Sequence, residues 1–172
     1  MILLEDLPAG WTVIPPEPQK KDEDFCGFEK QKVHQPVAEA NASFQQSESD
    51  SFLGHILESY DGNEAEDVAD QFLAVSRSCS GWTATDDQDG HQTKWQLTKL
   101  SFPNVGDQTV AVRLTSATRI GAVELDFALV RRGQTISTIS YATTGLQGID
   151  SARTEEFVRL ADQKLQSLDE LR

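Results

Sequence analysis

Alternating apolar and polar residues mark several stretches of this chain as strands. From residue 42 to residue 60 the alternation is interrupted only by the polar segment 45–51, which predicts two antiparallel strands joined by a turn. An Arg-Gly-Gln turn at 132–134 separates two later strands. Four consecutive strands, predicted to form a meander, lie around 95–100, 110–114, 123–129 and 136–141.

Two other stretches have the three- and four-residue apolar spacing of amphipathic helices. The first helix is predicted over 64–78, where Asn63 stands three residues before Glu66 in the spacing of a capping box. The second helix is predicted over 155–171, near the end of the chain. The order of elements is therefore strand, strand, helix, four strands, helix.

That order predicts an α+β fold, with a single antiparallel sheet of about six strands and two main helices packed on one face. At 172 residues the chain fits one domain spanning 1–172, with a surface loop at 15–24. Before the loop, a short helical turn is expected to bring Trp11 back onto the core. The chain contains no GxGxxG or Walker loop, so we expect no nucleotide or other cofactor.

The net charge of the chain limits which partners it is expected to bind. The 28 acidic and 15 basic side chains give a formal charge of −13, which opposes binding to nucleic acid or to an anionic membrane surface. We interpret the acidity as an aid to solubility rather than as a functional patch.

No apolar run is long enough to span a bilayer, and the start lacks the features of a signal peptide. We expect Met1 to be an added start before a mature domain whose membrane anchor lies outside this chain.

The two cysteines, Cys26 and Cys79, belong to no CxxC pair and have no histidine at metal-ligand spacing, so a zinc site is not expected. Two interpretations stay open on the residues alone. A disulfide would close a loop of about 54 residues and stabilise the fold by roughly 4 kcal/mol. Alternatively, the cysteines are two buried thiols.

Candidate motifs for catalysis and metal binding are weak. Asp87, Asp89 and Gly90 follow part of a calcium loop, but Thr85 and Gln96 occupy its first and last ligand positions, so we interpret the segment as a solvated turn. The three histidines lie far apart in sequence, and there is no HExxH or GxSxG motif. The sequence predicts neither an enzyme nor a metal site.

A polar set on the meander is the candidate ligand site. Arg113 is predicted to lie across from Glu124, with Asp126 on the same strand face. The set is either an exposed ion pair, so that Arg113→Ala costs less than about 1 kcal/mol, or the lining of an open sheet face where a ligand rests. Trp95 and Tyr141 are predicted to flank that face as aromatic walls.

Several segments together resemble a known family. The chain resembles actinobacterial extracytoplasmic lipoproteins and, more closely, the family named for the extracellular sensor domain of the receptor serine/threonine kinase PknH. The resemblance covers nearly the whole chain, including the final helix. Its segments are 3–11, 25–27, 42–44, 78–82, 100–103, 106–107 and 130–133.

This resemblance implies an α+β domain outside the membrane, tethered by a lipidated cysteine or by a transmembrane helix. It also implies an unidentified ligand in a cleft beside the sheet, and a disulfide between Cys26 and Cys79. One departure matters, because the kinase sensor domain holds two disulfides and this chain has cysteines for only one.

Three hypotheses for function follow. The leading one is an extracytoplasmic ligand-binding or sensor module, the mature part of a cell-envelope lipoprotein, whose small-molecule or protein ligand is unknown. The alternative is an envelope scaffold that binds another protein, which predicts an exposed apolar patch instead of a pocket. A third is a hydrolase whose histidine, carboxylate and hydroxyl come together from distant segments.

Overall fold

The computed structural model describes residues 1–15, 25–28, 33–46, 51–85, 92–118, 121–143 and 148–169. Over these residues the chain forms a 3-10 helix at Leu4–Asp6, two α-helices and eight strands. Helix α1 spans Glu64–Ser78, as predicted, and helix α2 spans Ser151–Asp169. The strands are β1 Trp11–Ile14, β2 Ala38–Gln46, β3 Ser51–Ser59, β4 Gly81–Thr85, β5 Gln92–Lys99, β6 Gln108–Thr118, β7 Gly121–Arg132 and β8 Thr135–Thr143.

All eight strands form one antiparallel sheet in the order β1-β2-β3-β8-β7-β6-β5-β4. Strands β1–β3 make one meander and β4–β8 make a second, and β3 pairs with β8, where Leu53 lies opposite Tyr141. The predicted number of about six strands is therefore too low. The two missed strands, β1 and β4, lie at the sheet edges and have only four and five residues, too few for a clear alternating pattern.

The two helices pack on opposite faces of the sheet. Successive side chains of a strand point to opposite faces. In β6, Val110 and Val112 belong to the hydrophobic cluster around α1, whereas Ala111 between them belongs to the cluster around α2. The prediction that both helices share one face is wrong. The continuous apolar run 127–130 in β7 is typical of a strand buried on both sides.

On the first face, α1 buries a stripe of apolar residues that includes Val68 and Phe72. Asn63 precedes the helix, but its side chain makes no capping hydrogen bond, so the predicted capping box is absent. Instead, the backbone carbonyl of Asn63 accepts a hydrogen bond from the Glu66 N–H at 3.0 Å. Packing of the buried stripe thus defines this helix more than its cap does.

On the second face, α2 packs against the start of the chain. Trp11 is buried, as predicted, and its ring meets Phe157 of α2 edge to face at 5.8 Å. The Lys164 ammonium lies 2.6 Å from the Asp6 carboxylate and links α2 to the 3-10 helix.

The predicted turn between β7 and β8 is confirmed, and Gly133 there adopts a φ of +55°. The predicted surface loop falls, beyond Pro15, outside the described residues.

Candidate functional site

The predicted polar set on the meander is a buried ion-pair network. Arg113 lies opposite Asp126, and its Nε and Nη2 donate to the two carboxylate oxygens at 2.6 and 3.0 Å. Nη2 also donates to the Ile149 carbonyl and the Ser151 hydroxyl, both at 2.9 Å. The Thr154 hydroxyl donates to Asp126 at 2.7 Å. These bonds fasten the start of α2 to the sheet.

Two details of the prediction are wrong here. Arg113 faces Asp126 rather than Glu124, which lies opposite Thr115 and approaches the guanidinium only to 3.8 Å. The pair is not exposed, because the Asp126 side chain is fully buried and that of Arg113 is 19% exposed. The hydrogen bonds to Asp126 raise the pKa of Arg113 above its ordinary value. Helix α2 occupies the space that an open-face ligand would need.

The predicted aromatic walls lie on different faces. Tyr141 shares the Arg113 face, is buried, and packs against Phe157 at 5.3 Å. Trp95 lies on the α1 face, stacked against Trp82 at 6.2 Å. Trp95 therefore cannot complete a site with Tyr141. A ligand-binding role for the remaining residues of the set stays a prediction.

A groove on the α1 face is the more accessible candidate site. Its volume is about 430 Å³, and it lies between the outer surface of α1 and two short segments, 25–28 and 33–34. This size falls within the usual range for small-molecule pockets. The described lining residues are Gly27, Phe28, Val33, His34, Asp67, Asp70, Gln71 and Val75.

One wall of the groove is a tight turn held by a disulfide. The Phe28 N–H donates to the Phe25 carbonyl at 2.8 Å, and the two central residues, Cys26 and Gly27, both have positive φ, at +54° and +81°. Such a turn favours glycine at its second central position. Cys26 is joined to Cys79, the C-terminal cap of α1, with their Cα atoms 6.3 Å apart. The crosslink implied by the resemblance is therefore present, and it fixes this wall against the helix.

The aromatic rings of the turn also anchor it. Phe25 packs against Phe72 of α1 at 5.4 Å, and against Trp82 at 5.0 Å. Phe28 contacts the same Phe72 ring at 5.4 Å. Each ring pair adds roughly 0.5–1.5 kcal/mol beyond its buried area. The wall is thus held by both covalent and aromatic contacts.

Acidic side chains of α1 form the opposite rim. His34 bridges two of them, with Nε2 at 3.1 Å from Asp67 and Nδ1 at 3.3 Å from Glu64. One turn further along α1, Asp70 accepts a hydrogen bond from the Gln108 amide at 3.0 Å. Two carboxylates of this rim are therefore linked through one imidazole, and Asp70 is bonded separately to an amide.

Metal binding has little support on this surface. Across the described residues, no group of three or more His, Cys, Asp or Glu side chains is placed to hold a metal ion. The aspartates of the predicted solvated turn, at 86–90, lie outside the described residues.

No helix in the described ranges has the length and hydropathy to cross a membrane.

A buried histidine and serine also meet, on the α2 face. His55 Nε2 lies 3.0 Å from the Ser137 hydroxyl, while Nδ1 accepts a hydrogen bond from the Ile2 N–H at 3.0 Å. Because Nδ1 is the acceptor, the neutral ring carries its proton on Nε2 and donates to Ser137. A general base needs the opposite arrangement, with Nε2 free to take the serine proton. Both residues are fully buried, so this pair is a core contact.

The sequence did not predict the groove, because only one of its two sides lies on an element with a periodic pattern. The α1 side is visible as Asp67 and Asp70, three residues apart on the polar face of a predicted helix. The other side, around Gly27 and His34, has no periodic pattern. The Cys-Gly pair followed by Phe28 was the available signal, since it predicts a tight crosslinked turn next to an aromatic anchor.

The described residues define a fold with one eight-stranded antiparallel sheet between two helices and a crosslinked groove beside the first helix. The fold is similar to that of the extracellular domain of PknH from Mycobacterium tuberculosis, with a TM-score of 0.56 and 12% identity over 75% of this chain and 66% of that domain. The chain thus spans just under two thirds of the PknH domain.

A second solved structure shares this fold over more of its length. An uncharacterised protein from Mycobacterium smegmatis, an Rv0999 ortholog, matches with a TM-score of 0.52 and 14% identity over 91% of this chain and 90% of that one. No protein-family model matches the chain, and no curated protein sequence matches it. At these identities the likeness concerns the fold.

Proposed function

We propose that this chain is an extracytoplasmic sensor-like binding module, the mature part of a cell-envelope lipoprotein, and that its ligand binds in the α1 groove. The likeness to the extracellular domain of PknH supports the extracytoplasmic part. The disulfide supports it as well, because such crosslinks persist mainly in oxidising compartments. Attachment through a lipid is the part of the proposal that only the resemblance in sequence supports.

The observation that carries the proposal is the position of the crosslink. The Cys26–Cys79 bond joins the end of α1 to the turn that forms the groove wall, so the bond holds the groove in shape before any ligand arrives. Preorganisation of this kind lowers the entropy lost on binding. The alternative, a scaffold that binds another protein, predicts an exposed apolar patch instead of a groove of this kind.

Fragment screening by ¹H–¹⁵N NMR tests the binding part. We expect fragments that bind to shift amide signals of Gly27, Phe28 and α1. Gln71→Trp, on the exposed rim of the groove, should fill it and abolish these shifts, whereas Gln163→Trp, exposed on α2 at the other face of the sheet, should leave them unchanged. A library without any binder at the groove would contradict the proposal.

Cellular location is tested separately. A full-length version expressed in its host, trapped with a membrane-permeant alkylating agent before lysis, should show both cysteines protected and the protein in the envelope fraction. Two alkylated cysteines and recovery from the cytoplasm would refute the extracytoplasmic part and leave the groove to be judged by the NMR screen.

A further inference from the structure

Building on the proposed function, we infer that the groove selects a small organic cation, an amine or quaternary ammonium compound with an apolar body. One side of the groove is apolar and the other is acidic, and the partners of the acidic side chains leave an excess of negative charge there.

The apolar part of the groove suits the body of such a ligand. Phe28, Val33 and Val75 line it, and each is only partly buried by the protein. Covering their remaining surface favours binding by roughly 25 cal/mol for each Å² removed from water. Phe28 is also aromatic, and aromatic rings attract ammonium groups.

The charged part of the groove selects the sign of the ligand. Asp67 and Asp70 are the charged lining residues, and no lysine or arginine occurs in the described lining. Their partners among the described residues, His34 and the neutral amide of Gln108, each contact one carboxylate oxygen. His34 contacts both Asp67 and Glu64, while the partner of Asp70 is an uncharged amide. An ammonium group would offset the excess negative charge.

The charge of the whole chain acts in the same direction. With a formal charge of −13, the protein attracts cations and repels anions over distances of about one Debye length, which is ~10 Å at moderate salt. Anionic and zwitterionic compounds with the same apolar body should therefore bind less tightly. Lys30 and Lys32 stand between the two lining segments in sequence and lie outside the described residues, so the experiment includes them.

Three probes with the same ring and chain length test the inference: phenethylamine, 2-phenylethanol and phenylacetate. NMR titration should give the tightest binding at groove amides for the amine, weaker binding for the alcohol and the weakest for the carboxylate, with differences that shrink at high salt. Asp67→Asn and Asp70→Asn should each weaken amine binding by roughly two- to fivefold without affecting the alcohol. Glu66→Gln, exposed on α1 outside the lining, is the matched control and should bind like the wild type.

The possible failures are distinct. Equal affinity for the three probes at the groove would overturn the cation inference and leave the binding module intact. A library without any groove binder, charged or neutral, would overturn the proposed function as well. Lys30→Gln/Lys32→Gln should retain the preference for the amine, and a preference that appears only in this double variant would overturn the inference for the native chain.

Discussion

Carboxylate side chains occur on both faces of the sheet, but the carboxylate paired with Arg113 is buried, whereas Asp67 and Asp70 at the groove are exposed. On the α2 face, Asp126 is fully buried and receives hydrogen bonds from Arg113 and Thr154. On the α1 face, Asp67 has a 60% exposed side chain and shares an imidazole with a second acid. A buried carboxylate must be matched by donors within the protein, whereas an exposed one keeps part of its capacity for a ligand.

This difference shows that a strand pattern alone does not distinguish a structural ion pair from a binding site. With both helices predicted on one face of the sheet, Arg113 and Asp126 were expected to be accessible to solvent or to a ligand on the other face. Helix α2 covers that face and makes the pair structural. Ser151 at the start of the helix and the Ile149 carbonyl just before it are further partners of Arg113.

The largest loss of stability is expected from Arg113→Ala. It leaves Asp126 buried without its counter-charge, and removing one partner of a buried pair typically costs about 3–5 kcal/mol. Arg153→Ala, which breaks an exposed pair with Glu156, is the control and should cost less than about 1 kcal/mol. Urea unfolding measures both, and similar small losses would mean that water reaches the Arg113–Asp126 pair.

A second large effect is expected on the α1 face from Cys79→Ser. Loss of the crosslink should lower the free energy of unfolding by about 2–4 kcal/mol in oxidising buffer and change it little in reducing buffer, because the reduced wild type has lost the same constraint. Thermal unfolding with and without reductant measures the difference. Equal losses in the two buffers would show that packing at Cys79, and not the bond, is responsible.

A pH-dependent loss is expected on the α2 face, where burial lowers the pKa of His55 to about 3. The unfolded chain, with a histidine pKa near 6.5, takes up a proton before the folded one does. Stability is therefore complete above about pH 6.5 and falls towards pH 3, by up to about 1.4 kcal/mol per pH unit. His55→Asn keeps an acceptor for the Ile2 N–H and should lose this slope between about pH 6.5 and 5. A slope unchanged in the variant would contradict the assignment.

The smallest effect is expected from Asp67→Asn. This exposed rim carboxylate contributes little to the fold, so its replacement should change the free energy of unfolding by less than about 0.5 kcal/mol. Urea unfolding beside Asp126→Asn gives the direct comparison between the two faces. A loss above about 2 kcal/mol for Asp67→Asn would mean that the acidic rim is structural and would weaken its role in binding.

Strong periodicity made much of the fold predictable. The apolar spacing from Ala65 to Phe72 located α1, and alternation located the meander. The second covered face was missed because only the alternating residues, such as Phe127 and Leu129, were assigned to the core, whereas Ala128 and Val130 form a second apolar side of β7. Alternation identifies one buried face, and only the absence of polar residues between apolar ones shows the other.

The candidate site was harder to predict because it depends on turn geometry and on distant segments. Placing the β6–β7 turn one residue too early moved the predicted partner of Arg113 by two positions, from Asp126 to Glu124. His34 reaches α1 from a segment without any periodic pattern. Such meetings are set by tertiary packing, so a single sequence does not specify them.

The pairing of β3 with β8 also sets the order in which parts of the fold can form during synthesis. A chain that emerges N-terminus first presents β3 and both cysteines long before residues 135–143 are available. The crosslink can therefore close while one edge of β3 still lacks its neighbour, and exposed strand edges promote association between chains. For this protein, the interval between oxidation and completion of the sheet is the period in which a chaperone would matter most.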